Sequence, residues 1–261
     1  MIYEVNDGRE KLRSLFEDFN DTMIDSYIDG YMGEAWVDNI KNPKVAQIKV
    51  GVFNFFSGDS NITEARELVE NIREEALIIL EADEWLDIIK EVYNENLYEL
   101  KRYAFERSFE NFNIEDLKKN VERLPKEYEL RKIDKEIAYS KSLQELTEDF
   151  TSQFDSIEHY LERGIGFCIL HNGKVVSGAS SYNSYKGGIE VEIDTLEEYR
   201  RKGLAQIVAS ALILYCIENN IYPNWDAANL ESVALAEKLG YKMKKIYNAY
   251  YINNKFKVYT D

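Results

Sequence analysis

The sequence has few of the residues from which metal sites and nucleophilic triads are built. It contains only two histidines, His159 and His171, in unrelated local contexts, and two cysteines, Cys168 and Cys216. Zinc sites need clusters of these residues, and Ser-His or Cys-His designs need a histidine beside the nucleophile. The sequence therefore disfavours both kinds of site and predicts no metal cofactor.

Disulfides and membrane segments are also missing. Both cysteines lie within apolar runs, which is typical of reduced, buried thiols rather than of a disulfide framework. No apolar stretch approaches the roughly 20 residues that a membrane-spanning helix requires. The opening "MIYEVNDGREKLRSLF" has neither a basic start nor an apolar signal core. We therefore expect a cytoplasmic protein without a membrane partner.

Positive charge is scarce. The chain has 48 acidic residues against 32 Lys and Arg, a formal net charge of -16. This field disfavours binding to nucleic-acid backbones and attracts cationic small molecules or basic peptides. A solvated surface that aids solubility is the plain alternative explanation. The charge thus predicts no nucleic-acid partner.

The first 125 residues predict an N-terminal α+β lobe. The apolar spacing in "GREKLRSLFEDF" predicts a helix, and "GEAWVDNIKNPKVAQIKVGVFNFFSGD" predicts two strands joined by a turn at "KNPK". From "SNITEARELVENIREEAL" onward we expect helices that continue through Leu117 and Val121. Pro125 cannot continue a helix, so we place a domain boundary there, which gives domains of residues 1–125 and 126–261.

Residues 126–261 predict strands and helices in mixed order. "YELRKI" alternates as a strand does, and "KSLQELTEDFTSQFDSIEHYLERG" predicts two helices ending at Gly164. A three-stranded meander follows, with turns at Asn172-Gly173 and at Lys186-Gly187-Gly188. The remaining predicted elements are the helix "LAQIVASALILYCIENN", the strand "IYPNWDA", the helix "LESVALAEKLG" closed by Gly240, and a final hairpin that turns at Asn253-Asn254.

A basic, glycine-containing loop lies between the third strand of the meander and the long helix. It consists of Arg200, Arg201, Lys202, Gly203 and the two residues that follow, and we call residues 200–205 the basic loop. The free N–H groups and the dipole of a helix start favour anions in such a loop. Gly203 lets a phosphate approach without a Cβ in the way. The loop matches neither the P-loop nor the Rossmann glycine pattern, which disfavours both folds.

With the elements around it, the basic loop resembles the GNAT superfamily of acyl-coenzyme A-dependent N-acetyltransferases. The family signature is Arg or Gln, two residues, Gly, one residue, then Gly or Ala, and Arg200, Gly203 and Ala205 fill it. "GGIEVEIDT" resembles the strand before the family's loop, and "NLESVALAEKLGYK" resembles its Asn-containing strand end and following helix. The resemblance implies an α+β fold with a central mixed, mostly antiparallel sheet flanked by helices.

The resemblance implies acetyl-CoA as co-substrate. Its pyrophosphate would be held by the loop amides of Arg201, Lys202, Gly203, Leu204 and Ala205, with Arg200 adding charge. Backbone groups of Ile193 and Thr195 would pair with the pantetheine arm as an added strand does. Asn229 would meet the arm from the other side, although an ordinary helix N-cap is its alternative role.

Candidate bases lie on the strand before the loop. Glu190, Glu192 and Asp194 alternate with apolar residues, so their carboxylates face one way. An alkylammonium of pKa about 10.4 needs about 4.6 kcal/mol to become a free amine at pH 7, so a base must be near. Family members often have a carboxylate base on this strand, and Glu190 or Glu192 is our candidate. The alternative is that these acids only solvate a half-exposed strand.

We expect transfer of an acetyl group to a primary amine of a cationic acceptor, either a small molecule or a peptide. A catalytically silent acyl-CoA-binding sensor or interaction protein is the alternative. The sequence sets neither the acceptor nor the oligomeric state.

One position departs from the resemblance. Many GNAT enzymes have a tyrosine seven residues after the Asn, where it protonates the departing thiolate, but this chain has Ala236 there. A substitute donor would be water, a tyrosine of the N-terminal half, or one of Tyr247, Tyr250 and Tyr251. The first 125 residues do not match the standard family domain; they would form either a partial GNAT-like lobe or a separate α+β cap, which resembles a less common GNAT group with such an N-terminal half.

Overall fold

The computed structural model describes residues 1–72 and 75–253, which form two compact units. Unit 1 contains residues 1–102 together with the chain from residue 247 onward, and unit 2 contains residues 103–246. This division by contacts differs from a boundary at Pro125, which stays a prediction about sequence domains.

Unit 1 is built on a mixed sheet. Antiparallel pairing joins its first four strands in order, and the fifth runs parallel to the fourth, with Phe53 opposite Leu77. The strands are β1 (Tyr3–Glu4), β2 (Glu34–Val37), β3 (Val45–Val50), β4 (Phe53–Gly58), β5 (Ala76–Ile79) and most of β6 (Leu97–Phe105). The helices are α1 (Thr22–Ile28), α2 (Thr63–Glu70) and α3 (Glu84–Tyr93), with 3-10 turns at Arg9–Leu12 and Asn94–Asn96.

Two helices cover the core of unit 1. Leu68 of α2 and Ile89 of α3 are fully buried in one apolar cluster with Ile78 of β5. Trp85 of α3 stacks on Phe56 of β4 with ring centres 5.3 Å apart. Burial of such large side chains stabilises each helix on the sheet by about 1.5–3 kcal/mol per residue.

Unit 2 contains a five-stranded sheet in the order β11-β10-β9-β8-β7. Only β10 and β11 are parallel, so the sheet is mixed and mostly antiparallel, as expected. The strands are β7 (Tyr128–Lys132), β8 (Gly166–His171), β9 (Lys174–Tyr185), β10 (Gly188–Thr195), β11 (Tyr222–Asn224), β12 (Asp226–Ala227) and the start of β13 (Met243–Ile252).

Seven α-helices belong to the described part of unit 2. They are α4 (Ile114–Glu122), α5 (Lys135–Ala138), α6 (Lys141–Leu146), α7 (Asp149–Ser152), α8 (Ile157–Arg163), α9 (Leu204–Glu218) and α10 (Leu230–Leu239), with 3-10 turns at Phe109–Asn111 and Glu197–Tyr199. The longest of them, α9, is apolar on all sides, which is the pattern of a buried helix. Val208 and Leu212 pack with strand residues, while Ile213 packs in a second cluster that includes residues of α4 and α10.

The two units repeat one order of elements. In each, the last of four antiparallel strands is followed by a helix, a strand parallel to that fourth strand, a second helix and a final strand. Each final strand is divided between the two units. The end of β13 pairs antiparallel with β5 in unit 1, and the end of β6 pairs antiparallel with β12 in unit 2.

The first half contains the largest errors of the sequence prediction. The helix expected in "GREKLRSLFEDF" is a 3-10 turn, and α1 begins later, where the side chain of Asp21 caps it. The segment with two expected strands has three, β2 to β4. The helices expected from residue 61 to Val121 are interrupted by β5 and β6. Because all four residues of β5 are buried, its apolar run lacks the alternation that distinguishes a strand from a helix.

The second half matches more closely. The turns at Asn172-Gly173 and Lys186-Gly187, the helix α9 and the Gly240 end of α10 are confirmed. The two helices expected before Gly164 are three short ones, α6 to α8. Of the final hairpin the structure describes β13 and Asn253, while the rest of the turn and the return strand lie outside the described residues.

Candidate active site

The candidate active site begins where the two parallel strands of unit 2 part. β10 and β11 pair at three positions, the last of them Glu190 with Asn224. From residue 191 to residue 195, β10 stays paired with β9, but no strand of the described chain pairs with its other side. We call this side of residues 191–195 the open edge.

Two hydrogen bonds define which backbone groups face the open edge. Tyr222 N–H donates to Gly187 O on the β11 side (2.8 Å), and Leu196 N–H donates to Val176 O on the β9 side (3.0 Å). Backbone groups of successive strand residues point to opposite sides. The odd-numbered residues of β10 therefore face the open edge, and Ile193, predicted to pair with a pantetheine arm, is one of them.

Thr195 also faces the open edge, but its backbone groups have partners. Its N–H donates to the Asp194 carboxylate (2.7 Å), and its carbonyl accepts from Arg200 Nε (3.0 Å). A ligand pairing at Thr195 would have to replace these bonds. Ile193 is thus the better placed of the two predicted arm contacts.

The backbone of the basic loop turns sharply before α9. Arg201 and Gly203 both have positive φ, 59° and 81°, and Leu204 begins the helix. Such turns direct neighbouring N–H groups toward one point and form anion-binding concavities. A Cβ built on Gly203 would meet no atom within 4 Å. The loop therefore offers open space beside its amides, with Leu204 buried and Ala205 half-buried behind it.

The three cationic side chains of the loop have different surroundings. Besides its bond to Thr195, the Arg200 guanidinium lies 3.9 Å from the Asp194 carboxylate, so it ties the loop to the end of β10. Lys202 Nζ lies 4.6 Å from the centre of the Tyr199 ring. Arg201 and Lys202 are exposed and accessible to an anion.

Glu190 is a buried acid at the point where the strands part. Only 6% of the residue is exposed. Its Oε2 accepts a hydrogen bond from Asn224 Nδ2 at 2.6 Å, and its N–H donates to Asn183 Oδ1 at 3.2 Å. A buried carboxylate is costly without polar partners, and the Asn224 amide supplies one to Oε2, while Asn183 bonds the backbone of Glu190.

Arg107 extends this group of polar side chains. Its Nε donates to Asn224 Oδ1 at 3.0 Å. The Tyr222 hydroxyl holds the chain on both sides of Arg107, because it donates to Glu106 O (2.8 Å) and accepts from Ser108 N–H (3.1 Å). Sequence reasoning missed these residues because the Glu190 and Asn224 pair is 34 positions apart and Arg107 is 117 positions from Asn224. A polar Asn within the apolar run "IYPNWDA" was the available signal.

The other two acids of β10 lie on the face that carries helices α7 and α8. Glu192 is opposite Ser180, whose hydroxyl bonds to Tyr160 of α8. Asp194 is opposite Gly178, where a Cβ would meet the Phe150 ring of α7 at 2.3 Å. The alternation of β10 is unbroken, since the extra residue of the bulge at this point belongs to β9, so the three acids share one face as predicted. Because Asp194 holds the basic loop, Glu190 and Glu192 remain the candidate bases.

Asn229 and Ala236 both lie in or beside α10. Asn229 caps the helix, with its Oδ1 accepting from Ser232 N–H at 2.9 Å, and it is exposed. Asn229 therefore acts as a helix N-cap, the alternative role considered for it. Its contact with the pantetheine arm stays a prediction. Ala236 is fully buried in an apolar cluster with Tyr241.

The three candidate donor tyrosines lie in the part of β13 that belongs to unit 1. Tyr250 is buried in the apolar cluster of that unit, and burial raises its pKa above the usual value. Tyr251 lies beside Tyr98 with ring centres 6.5 Å apart.

Comparison with known proteins identifies the family. A model of the GNAT acetyltransferase family matches residues 13–250. The chain belongs to the GNAT acetyltransferase family. The match includes residues of both units, so membership extends beyond the segment 126–261 that carries the resemblance in sequence. The family transfers acyl groups from acyl-CoA, and the protein is accordingly an enzyme of the N-acetyltransferase class.

Two relatives match nearly the whole chain. An uncharacterized N-acetyltransferase, YdfB, of Bacillus subtilis strain 168 is 31% identical over 253 residues, 92% of this chain and 94% of its own. A GCN5-related N-acetyltransferase-like protein from Streptococcus suis is 36% identical, with a TM-score of 0.85 over 94% of this chain and 98% of its own.

A more distant structure shares the fold alone. A tandem GNAT protein from the clavulanic acid biosynthesis pathway has a TM-score of 0.60 at 13% identity, over 97% of this chain and 99% of its own. Its likeness agrees with the repeated order of elements in units 1 and 2.

Residues 1–72 and 75–253 contain neither a metal-binding cluster nor a membrane-spanning helix. No group of three or more His, Cys, Asp or Glu side chains there is arranged to hold a metal ion. None of the helices in these residues has the length and apolar character needed to cross a bilayer.

Proposed function

We propose that the protein transfers an acetyl group from acetyl-CoA to the amine of a cationic acceptor, with Glu190 as general base. The observation that carries the proposal is the buried Glu190 carboxylate at one end of the open edge and the basic loop at the other. This arrangement supports the proposal, because the loop suits the pyrophosphate of acetyl-CoA and the open edge suits its extended pantetheine arm. Glu190 lies where that arm would end.

The proposed binding of acetyl-CoA uses backbone groups first. The amides of residues 201–205 face the pyrophosphate, and exposed Arg201 and Lys202 add charge. From Thr195 to Glu190 the strand spans about 17 Å at about 3.3 Å per residue. An arm with amide groups that pairs along this edge, first with Ile193, carries its thioester toward Glu190. Asn229 stays a proposed contact, through the part of its amide that does not cap α10.

The proposed base removes a proton from the acceptor. Acetyl-CoA supplies an activated acyl group, and the amine must lose its charge before its nitrogen attacks. Forming the free amine at pH 7 costs about 4.6 kcal/mol for a group of pKa about 10.4. As the N–C bond forms and the C–S bond breaks, one ammonium proton passes to Glu190 and another ends on the sulfur. A held carboxylate at this point is suited to the first transfer.

The charge of the chain supports a cationic acceptor. A net charge of -16 raises the local concentration of cations, and this attraction weakens as salt screens it. We expect the KM for the amine to rise with ionic strength, while a neutral competitor amine shows no such rise.

The test is a thiol-release assay with acetyl-CoA and a panel of amines. We expect Glu190→Gln to lower kcat by about 10²–10⁴-fold, the usual worth of general base catalysis, and Glu192→Gln to lower it by less. Glu162→Gln is the matched control, because it removes the same charge from an exposed position on α8. If Glu190→Gln and Glu192→Gln both retain full kcat between about pH 6 and pH 9, neither acid is the base. Binding of acetyl-CoA without turnover of any amine would instead support the silent sensor.

A further inference from the structure

The polar residues around Glu190 have a role that the proposed function alone does not assign. Building on that function, we propose that Asn224 and Arg107 are positioning residues, which hold the Glu190 carboxylate in the orientation that accepts the proton. The two bonds form a chain from Arg107 Nε to Asn224 Oδ1 and from Asn224 Nδ2 to Glu190 Oε2.

The chemistry of the three groups fixes the direction of both bonds. An arginine only donates hydrogen bonds and an ionised carboxylate only accepts them, whereas an asparagine amide does both. Arg107 therefore turns the carbonyl oxygen of Asn224 toward itself. The NH₂ group of Asn224 then points at Glu190, and the amide cannot flip without placing an oxygen against a carboxylate.

The backbone around each end limits movement. Asn224 lies two residues after Tyr222 on β11, so their side chains project from the same face. The Tyr222 hydroxyl bonds to the main chain on both sides of Arg107, which brings the guanidinium to Asn224. Asn224 is itself 8% exposed and is the strand partner of Glu190. The carboxylate is thus held by a rigid pair of strands.

Neutral amides and phenols also lie near this acid. Asn183 of β9 accepts from the Glu190 N–H. Burial raises the pKa of Tyr222 above its usual value, and burial raises that of Tyr241 further, with the Glu190 charge contributing to both. These phenols stay protonated at neutral pH. Arg107 accordingly supplies positive charge near Glu190. Its hydrogen bond fixes the orientation of the Asn224 amide, and that amide in turn orients the Glu190 carboxylate.

The decisive variant is Asn224→Asp, which replaces a donor by an acceptor of nearly the same shape. Two carboxylates in contact cannot both ionise easily, so the pair retains a proton to higher pH. We expect the acid side of the kcat-pH profile to move up by about one unit or more, and kcat at neutral pH to fall by about 10- to 100-fold. The KM for acetyl-CoA should stay unchanged.

The matched control is Asn113→Asp. Asn113 caps α4 through its side-chain oxygen, and Asp caps a helix as well as Asn does, so this change adds the same charge at small structural cost. Its pH profile should equal that of the unchanged protein.

A second variant covers the case in which Asn224→Asp fails to fold. Arg107 is largely exposed, so Arg107→Met should fold, yet it removes the donor that orients Asn224. We expect Arg107→Met to lower kcat by about tenfold, with rescue by Arg107→Lys, which keeps a donor and a charge. Circular dichroism and thermal unfolding of each variant report folding.

Glu190→Gln in the same series separates the two proposals. If it abolishes turnover while Asn224→Asp and Arg107→Met leave kcat and the pH profile unchanged, the positioning role is wrong and the proposed base stands. If Glu190→Gln also retains full activity, the proposed base itself is wrong.

Discussion

Glu190 Oε2 lies 2.6 Å from Asn224 Nδ2, and these two residues are the last that β10 and β11 pair. This cross-strand pair is therefore the end of the parallel ladder, and within it Asn224 holds the Glu190 carboxylate. Beyond it the strands part and leave backbone groups of β10 without a strand partner in the described chain. The proposed chemistry and the proposed binding edge begin at one point of the fold.

Gly203→Glu should abolish binding of acetyl-CoA. The new side chain would occupy the open space beside the loop amides with the wrong charge, and we expect affinity to fall by at least about 100-fold. Isothermal titration calorimetry on the folded variant measures it. Gly173→Glu is the control, since Gly173 also has positive φ, 76°, and no neighbour within 4 Å of a built Cβ. If Gly203→Glu and Gly173→Glu bind acetyl-CoA with equal affinity, the basic loop is not part of the binding site.

Acetyl-CoA should bind once per chain, although the order of elements occurs twice. In unit 1 the connection from β4 to α2 contains Asp59 and no cation, whereas unit 2 has the basic loop. Hydrogen bonds from the backbone and side chain of Asn61 lower the pKa of Asp59, and the negative charge of this carboxylate repels a phosphate. Calorimetry should give a stoichiometry of about one. A second site that persists in Gly203→Glu would contradict this.

The fold should not tolerate a tyrosine introduced at position 236. Ala236 is fully buried, so Ala236→Tyr overpacks the cluster around Tyr241 and should destabilise the fold by about 1–3 kcal/mol or more. Thermal unfolding measures the loss. Ala228→Tyr, at an exposed position of the same segment, is the control.

The substitute proton donor can be identified by removing single hydroxyls. Tyr250→Phe should keep its rate, because Tyr250 packs in the apolar cluster of unit 1. A loss of kcat confined to Tyr247→Phe or Tyr251→Phe, with unchanged acetyl-CoA binding, would name that hydroxyl. Unchanged rates in all three would leave water or another group. Acid assistance is commonly worth about 10²–10⁴-fold, so we expect a modest kcat.

The two cysteines should be inert in the folded protein. Burial raises the pKa of both Cys168 and Cys216 to about 12, so at about pH 8 each thiol stays protonated and covered. Iodoacetamide should label neither in the native state and both after unfolding, as mass spectrometry will show. Rapid labelling of the native protein would contradict their burial. Inert cysteines also mean that thiol release in the activity assay reports only coenzyme A.

The sequence was most informative where one local signal decides the structure. Gly203 before a long apolar run predicted both the loop and α9, because positive φ favours glycine and an apolar helix must be buried. The alternation of Glu190, Glu192 and Asp194 predicted their common face for the same local reason.

Long-range pairing could not be predicted in this way. The bond between Glu190 and Asn224 depends on which strand lies beside β10, and no residue near either position encodes that neighbour. The buried strand β5 was read as helix because four apolar residues fit both structures. Arg107 gave no signal at all, since exposed arginines are common and its proposed role depends on the contacts of Tyr222.

The pairing of the two final strands has a consequence for synthesis. A chain leaves the ribosome from its first residue, and N-terminal domains usually fold first. Here the partner of β12 is translated before β12, but the partner of β5 is the end of β13, which is translated long after β5. Until then β5 keeps a bare side, the kind of edge that recruits other chains. The sheet of unit 1 is therefore completed only after β13 has been translated.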